Sequence, residues 1–189
     1  MNYFLKDLAF DSIEEALKIC NIELGNHYLT TTYISQLLKN ENAFLKCVIN
    51  DQSEIIGFGI CTILSSEEFK NSLHSSQFRE LPGNIKNASR LGITNTIAIK
   101  EEYKGKGIGT LIFNQFLAFF ELKKIDIITA FAWKSKDGFN MEGIFKKHNF
   151  PILKTIQNYW KEDSIENKYD CPSCGNPCIC SAVIYGKFK

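Results

Sequence analysis

A glycine-rich turn between two strongly apolar segments constrains the fold of this chain more than any other feature. The upstream segment, residues 93–99, is dominated by β-branched residues and predicts a strand. The downstream apolar segment, residues 111–120, is too long for an ordinary strand and predicts a helix. A strand, a glycine-rich turn and a helix in this order form an anion site. The first amides of the helix have no intrahelical partner, and the helix dipole adds partial positive charge there.

The turn has the sequence Lys104-Gly105-Lys106-Gly107-Ile108-Gly109-Thr110. Its glycines let the backbone approach a phosphate without an intervening Cβ, and its two lysines add positive charge at the rim. A Walker loop is excluded, because the chain contains no Gly-Lys-Ser or Gly-Lys-Thr. The dinucleotide-binding fingerprint requires Gly-x-Gly-x-x-Gly, whereas these three glycines alternate one by one. The turn therefore predicts a phosphate site of a different type.

The turn and its flanking segments resemble the pyrophosphate loop of the GNAT superfamily of acyl-CoA-dependent N-acyltransferases. That family's pattern is Arg or Gln, two residues, Gly, one residue, then Gly or Ala. Lys104, Gly107 and Gly109 fill this pattern, with lysine in the first position. The resemblance implies an α/β domain with a mixed, mostly antiparallel twisted sheet flanked by helices. It also implies that the central parallel strands splay apart and that acetyl-CoA is the acyl donor.

The same resemblance implies which residues hold the cofactor. Amides of the turn bind the pyrophosphate of coenzyme A, and the main chain of the preceding strand supports the pantetheine arm. The cofactor-binding residues expected on this basis are Ile97, Ala98, Ile99, Lys104, Gly105, Lys106, Gly107, Ile108, Gly109 and Thr110.

Composition limits the classes of protein to which the chain can belong. A length of 189 residues with 44% hydrophobic residues predicts a single domain over residues 1–189. A net charge of +1 gives no reason to expect nucleic acid or a membrane as partner. No apolar run approaches the roughly 20 residues of a membrane helix, and the N-terminus lacks the features of a signal peptide. We therefore expect a cytoplasmic protein, and a homodimer is compatible with these features.

The rest of the chain supplies the element order of such a domain. The predicted elements are a strand at 3–5, a helix from 13 to about 23, a helix starting after Thr31 or Thr32, a hairpin of 44–49 and 55–61, a strand at 125–133, a helix at 138–148, and strands at 152–156 and 182–185. Ser12 and Glu15 match a capping box for the first helix. Residues 65–90 predict a polar substrate-side insertion in which Pro82-Gly83-Asn84 forms a turn.

The chain departs from the family at both usual catalytic positions. The tyrosine that often acts as general acid is replaced by Phe145, which cannot donate a proton, and the usual carboxylate on the cofactor strand is replaced by Asn95. The remaining candidates for acid and base are Tyr159 and Tyr185, in the predicted last two strands, and His148.

Four cysteines near the C-terminus form the second distinctive motif: Cys171, Cys174, Cys178 and Cys180. The Cys-Pro-x-Cys-Gly part is typical of a zinc knuckle, and four thiolates complete a closed, structural tetrahedral site. Only three residues separate the two cysteine pairs, whereas two-knuckle sites are usually separated by about a dozen or more. Two disulfides or four free thiols are the alternatives, and we favour a metal, zinc before iron–sulfur. The loop at 171–180 is expected between the last two strands.

These features predict an N-acetyltransferase that transfers an acetyl group from acetyl-CoA to an amine by direct attack in a ternary complex. The acceptor is a small-molecule or protein amine. Two alternatives stay open: an acyl-CoA sensor without turnover, which Phe145 and Asn95 would permit, and a protein-interaction module that uses the cysteine loop.

Overall fold

The computed structural model describes residues 2–135 and 141–188. The strands are β1 (Phe4–Asp7), β2 (Ala43–Ile49), β3 (Ile55–Ser65), β4 (Arg90–Ile99), β5 (Ile127–Lys134), β6 (Ile152–Ile156) and β7 (Ser181–Phe188). The helices are α1 (Ile13–Glu23), α2 (Thr31–Leu37), α3 (Ser66–Asn71), α4 (Ser75–Glu80), α5 (Gly83–Lys86), α6 (Ile108–Leu122), α7 (Glu142–Lys147) and α8 (Lys161–Asn167). Two single-turn 3₁₀ helices precede α1 and α6, at Phe10–Ser12 and Glu101–Tyr103.

All seven strands belong to one sheet with the spatial order β1-β2-β3-β4-β5-β7-β6. The pairs are antiparallel except for β4 and β5, which are parallel. This arrangement confirms the predicted α/β class and the mostly antiparallel sheet.

The parallel pair separates along its length. β4 and β5 are in register only from Gly92, opposite Ile128, to Thr94, opposite Ala130. Beyond this point β4 continues beside β3 as far as Ile99, while β5 continues beside β7. The two central strands therefore splay apart, as predicted, and leave a gap in the sheet.

Helix α6 covers one face of the sheet with the phenylalanines Phe113, Phe116 and Phe120, all fully buried. A Cβ at Gly59 of β3 would lie 2.5 Å from Cγ2 of Ile112 and 2.8 Å from Cζ of Phe116. Glycine at this position thus permits the close approach of α6.

The opposite face carries the remaining large helical elements. α1 and α2 pack on β2, β3 and the end of β4, and the cluster there includes Phe58 and Ala98. α3 and the segment up to β4 pack on β4 and β7 through residues such as Phe69, Ile85 and Ile184. Side chains alternate between the two faces along each strand, so both faces of the sheet are covered.

Several local predictions need correction. The capping box at α1 is wrong: Ser12 donates to Asp11 instead, at 3.0 Å, and Glu15 accepts from the amide of Ile55, at 3.0 Å. The tertiary contact of Glu15 replaces the local one. The predicted turn after Pro82 is the start of a one-turn helix, α5.

Other boundaries differ more modestly. α2 begins at Thr31, because Thr30 accepts from the amide of Tyr33 and acts as its N-cap. Helix α8 was not predicted. The helix predicted for residues 138–148 is observed as Glu142–Lys147, and residues 138–140 lie outside the described residues. In the described part of the chain, no helix combines the length and apolarity needed to cross a membrane.

Candidate active site

A cleft of about 780 Å³ opens where β4 and β5 part. Residues from both faces of the sheet line it. The turn before α6 and the start of α7 contribute from one face, and the segment after α1 and the cysteine loop contribute from the other. The gap between the strands therefore connects the glycine-rich turn with a second group of side chains across the sheet.

The three positions of the turn require glycine for different structural reasons. Gly105 and Gly107 adopt left-handed backbone conformations, with φ of +74° and +83°, which residues with a Cβ rarely adopt. Gly107 is the N-cap of α6, so the free amides of the first turn follow it directly. A Cβ at Gly109 would lie 3.0 Å from Ile144 and 3.3 Å from Ile99, so Gly109 lets α6 lie close to β4 and α7.

Nine of the ten predicted cofactor-binding residues line the cleft, and Lys106 is the exception. Its ammonium group lies over the ring of Tyr103, 4.9 Å from the centroid. The amide edge of β4 beyond Thr94 has no strand beside it within the described structure, because the ladder to β5 ends there. The sequence prediction assigns the pantetheine arm to this edge, and that assignment stays a prediction.

Lys104 is held by two carboxylates at the mouth of the cleft. Its Nζ lies 2.5 Å from Glu23 and 2.5 Å from Glu101. Partial burial acts to lower the pKa of Lys104, but the hydrogen bonds to both carboxylates outweigh it and raise the pKa. Among the described residues that line the cleft, Glu23 is the only carboxylate and Lys104 is the only cation.

Phe145, at the family's tyrosine position, lines the cleft and is 1% exposed. Asn95 also lines it, and its Oδ1 accepts a hydrogen bond from Thr62 at 2.9 Å. The hydroxyl of Thr94 is buried beside them at the point where the strands part, with no hydrogen-bond partner in the described structure. Neither of the two usual catalytic positions therefore carries a side chain that can act as a general acid or base.

The predicted catalytic tyrosines lie outside this lining. Tyr159 is buried and stacks on Phe131, with ring centroids 5.5 Å apart, and burial raises its pKa. Tyr185 is buried beneath Phe145. His148 packs on the ring of Phe113, and burial lowers its pKa. The structure does not bring these three residues to the cleft, so their catalytic roles stay predictions.

Two tyrosines of the opposite wall do reach the cleft. Tyr28 follows α1 and contacts Tyr169 edge to face, with centroids 5.4 Å apart. The hydroxyl of Tyr28 hydrogen-bonds to Thr96 of β4, and burial raises its pKa. Nothing in the sequence links Tyr28 to Tyr169. Their contact joins elements that are far apart in the chain.

The four C-terminal cysteines converge beside the same wall. Their sulfur atoms all lie within 4.8 Å of one another, and the loop lies between β6 and β7, following α8. Cys171 and Cys178 line the cleft. The other three cysteines, Cys20, Cys47 and Cys61, are buried in the core.

Residues 65–90 pack on the sheet next to Tyr159. Phe69, Leu81 and Ile85 pack on the sheet, and Gln77 donates to the carbonyl of Tyr159 at 2.9 Å. In the described ranges, no residue of this segment lines the cleft. Contact of the insertion with substrate therefore stays a prediction.

The sheet, turn and cleft define the class of acyltransferase fold that the turn predicted. The model of the acetyltransferase (GNAT) family matches residues 10–150, and the chain belongs to this family. The comparison with curated proteins found no match.

Solved structures share the fold over nearly the whole chain. NAA60 of Arabidopsis thaliana, in complex with a bisubstrate analogue, is 12% identical, with a TM-score of 0.69 over 100% of this chain and 99% of that one. Naa20 of Chaetomium thermophilum, also with a bisubstrate analogue, is 13% identical, with a TM-score of 0.70 over 98% and 86%. Arylalkylamine N-acetyltransferase 2 of Aedes aegypti is 11% identical, with a TM-score of 0.65 over 100% and 99%. These identities establish similarity of fold alone.

Proposed function

We propose that this protein is an N-acetyltransferase that transfers the acetyl group of acetyl-CoA directly to an amine in a ternary complex. The observation that carries the proposal is the cleft between β4 and β5, which ends at the glycine turn and is lined by nine of the ten expected cofactor residues. Family membership and the fold of N-acetyltransferases such as the Aedes aegypti enzyme support it.

The turn and β4 bind different parts of the cofactor. Amides at the start of α6 face the pyrophosphate, where the helix dipole favours negative charge. Lys104 stands at the mouth of the cleft and adds a cation. The free edge of β4 pairs with the pantetheine arm and aligns the thioester. Alignment of two reactants in one cleft supplies a large share of the rate acceleration.

The chemical step forms one bond and breaks one. The amine nitrogen attacks the carbonyl carbon of the acetyl group, the new C–N bond replaces the C–S bond, and coenzyme A leaves as a thiolate. The amine loses a proton to solvent. We assign the donor of the proton to the thiolate as Tyr28, because its hydroxyl lies beside β4 in the cleft, and Tyr28 then regains a proton from solvent.

The acceptor enters along the wall opposite the turn. Tyr28, Trp133, Trp160 and Tyr169 make that wall largely aromatic. Because the one carboxylate of the described lining is paired with Lys104, the wall favours an uncharged, partly apolar carrier around the amine over a polycation. Such an amine can belong to a small molecule or to a protein.

The seven cysteines are all free of disulfides, which fits a reducing compartment such as the cytoplasm.

A second candidate function is an acyl-CoA sensor without turnover. It is favoured by one observation, the presence of Phe145 and Asn95 at positions where many relatives carry a proton donor and a carboxylate. An assay of acetyl-CoA turnover with a broad panel of amines, in which release of free thiol is measured, decides between the two functions. Turnover with any amine supports the enzyme.

The binding of acetyl-CoA is tested by calorimetric titration of the parent and two variants of one residue. Gly107→Ala and Gly107→Glu impose the same strain on a left-handed backbone, and neither Cβ meets another atom within 4 Å. Only the glutamate adds negative charge next to the pyrophosphate. We expect binding by the parent, weakened binding by Gly107→Ala and none by Gly107→Glu. A folded parent that does not bind acetyl-CoA would overturn the proposal.

A further inference from the structure

Four thiols converge on one point between α8 and β7. The Sγ atoms of Cys171 and Cys180 lie 3.8 Å apart, those of Cys174 and Cys178 lie 3.8 Å apart, and those of Cys174 and Cys180 lie 3.6 Å apart. A tetrahedral ion with metal–sulfur bonds of about 2.3 Å places its sulfurs about 3.8 Å apart. A disulfide requires sulfurs at about 2.05 Å. Three of the six sulfur–sulfur distances thus match the edge of such a tetrahedron, and all four sulfurs lie within 4.8 Å of one another.

We propose that Cys171, Cys174, Cys178 and Cys180 bind one Zn²⁺ ion in a closed tetrahedral site that fixes the acceptor wall of the cleft. Four thiolates leave no open position on the ion, so the site is structural. Soft thiolate ligands in tetrahedral geometry select zinc among the abundant divalent metals. An iron–sulfur cluster places several iron atoms between its ligands and needs wider spacing of the sulfurs than is observed.

Hydrogen-bond donors around the sulfurs suit thiolates. The amide of Ile179 donates to Sγ of Cys174 at 3.3 Å, and the side chain of Trp133 hydrogen-bonds to Cys180. Donors that face the sulfur atoms stabilise their charged form and orient the ligands, as the outer partners of a metal site do. Trp133 also lines the cleft, so it links the metal site to β5.

The loop has only a small buried cluster, and a few hydrogen bonds also hold it: the side-chain amide of Asn176 donates to the carbonyls of Ser164 and Tyr169, and the amide of Cys178 donates to Oγ of Ser164. Its buried cluster contains Tyr169, Cys171, Cys178 and Cys180, so three of the four buried members are thiols. Ordering a loop costs about 1–2 kcal/mol per residue in backbone entropy. Burying unpaired thiols returns little of this cost, whereas a metal ion supplies folding free energy directly. Free thiols therefore explain the ordered loop less well than a bound ion does.

The loop is packed tightly against the segment that follows α1. The amide of Asp170 donates to the carbonyl of Asn26 at 3.3 Å. Gly25 has φ of +117°, and a Cβ there would lie 2.1 Å from the carbonyl oxygen of Asp170. Tyr28 and Tyr169 then meet edge to face next to the cleft. An ion that fixes the cysteine loop therefore also fixes the position of Tyr28.

Metal content is measured by mass spectrometry on protein purified without added metal. We expect one zinc ion per chain in the parent, and a loss of at least tenfold in the double variant Cys174→Ser and Cys178→Ser. Cys47→Ala is the matched control, because it removes a buried thiol outside the cluster, and we expect it to retain one zinc ion. A folded parent without zinc, or with stoichiometric iron, would overturn the proposal. This test does not depend on acetyl transfer.

A measurement on the parent alone covers the case in which the double variant does not fold. A mercurial reagent that titrates thiols should release one zinc ion as four thiols react, detected by a metallochromic dye. Replacement of zinc by Co²⁺ should give the absorption bands of a tetrahedral thiolate site. Four thiols that react without release of metal would contradict the site.

The effect on the acceptor wall has its own readout. Removal of zinc by a chelator should increase amide hydrogen exchange at residues 25–28 as well as at 169–180, and leave α6 unchanged. An increase confined to 169–180 would overturn the coupling of the metal to the wall while leaving the metal site itself intact.

Discussion

The ring of Phe145 lies flat against the ring of Tyr185, with centroids 4.2 Å apart and planes inclined by 18°. Phe145 faces the cleft, and Tyr185 is buried beneath it. A tyrosine is thus present near the family's usual proton-donor position, but one layer deeper in the core. This relationship separates the two roles: the residue that reaches the cleft lacks a hydroxyl, and the one with a hydroxyl packs under the first.

Tyr28→Phe should reduce kcat by about tenfold or more, because a positioned general acid contributes at least that much. The KM for acetyl-CoA should not change, since the glycine-rich turn and β4 bind the cofactor. Burial raises the pKa of Tyr28, so the tyrosine stays protonated across the neutral range and no loss of activity there is expected from its ionisation. Steady-state kinetics with the best amine of the panel measures both constants. An unchanged kcat would remove Tyr28 from the mechanism.

Phe145→Tyr should restore part of the activity of Tyr28→Phe, because it places a hydroxyl in the cleft at the family's usual donor position. We expect kcat of the double variant to rise several-fold above that of Tyr28→Phe. Tyr185→Phe serves as the control, and its kcat should stay within about twofold of the parent, since Tyr185 does not line the cleft. A large loss in Tyr185→Phe would instead support the catalytic role predicted from the sequence.

Glu23→Gln should tighten the binding of acetyl-CoA. Glu23 and Glu101 both pair with Lys104 and therefore compete with the pyrophosphate for its charge. Removal of one competing charge should lower the Kd about threefold, whereas Lys104→Gln should raise it about tenfold. Glu102→Gln is the matched control, because Glu102 is exposed and lies next to Glu101 in the chain. Titration with acetyl-CoA at two salt concentrations measures the direction of the change in Kd. Weaker binding by Glu23→Gln would contradict the competition.

The glycine turn and the cysteine cluster could be predicted because each is local in sequence. The seven residues 104–110 contain the turn, the N-cap and the first helical amides together, and their conformation follows from glycine and helix geometry. The four cysteines lie within ten residues, so their convergence requires only one folded loop.

Residues that reach the cleft through long-range packing could not be predicted. Glu23 lies at the end of α1, and only the fold brings it to Lys104. Tyr169 meets Tyr28 because the loop after α8 packs on the loop after α1. For the same reason, Tyr159 and Tyr185 could be assigned to the C-terminal region but not to a side of the sheet, and packing turns both away from the cleft.

Cys20 should make the stability of the protein depend on alkaline pH. It is fully buried in α1, and burial raises its pKa from 9.0 to about 12. Above the pKa that this thiol has in the unfolded chain, the thiol loses its proton in the unfolded protein but keeps it in the folded protein. The stabilisation is therefore complete below about pH 9 and is lost as the pH rises towards 12.

At about pH 10 the expected loss from this one thiol is about 1.4 kcal/mol, which corresponds to one pH unit of differential proton binding. Urea unfolding in the presence of a reductant, at about pH 8 and about pH 10, measures the free energy of unfolding of the parent and of Cys20→Ala. The variant is less stable at both pH values because it contains a cavity. The change in its free energy of unfolding between the two pH values should, however, be smaller than that of the parent by about 1.4 kcal/mol. Equal pH dependence of the two proteins would show that Cys20 ionises at the same pH when folded and when unfolded.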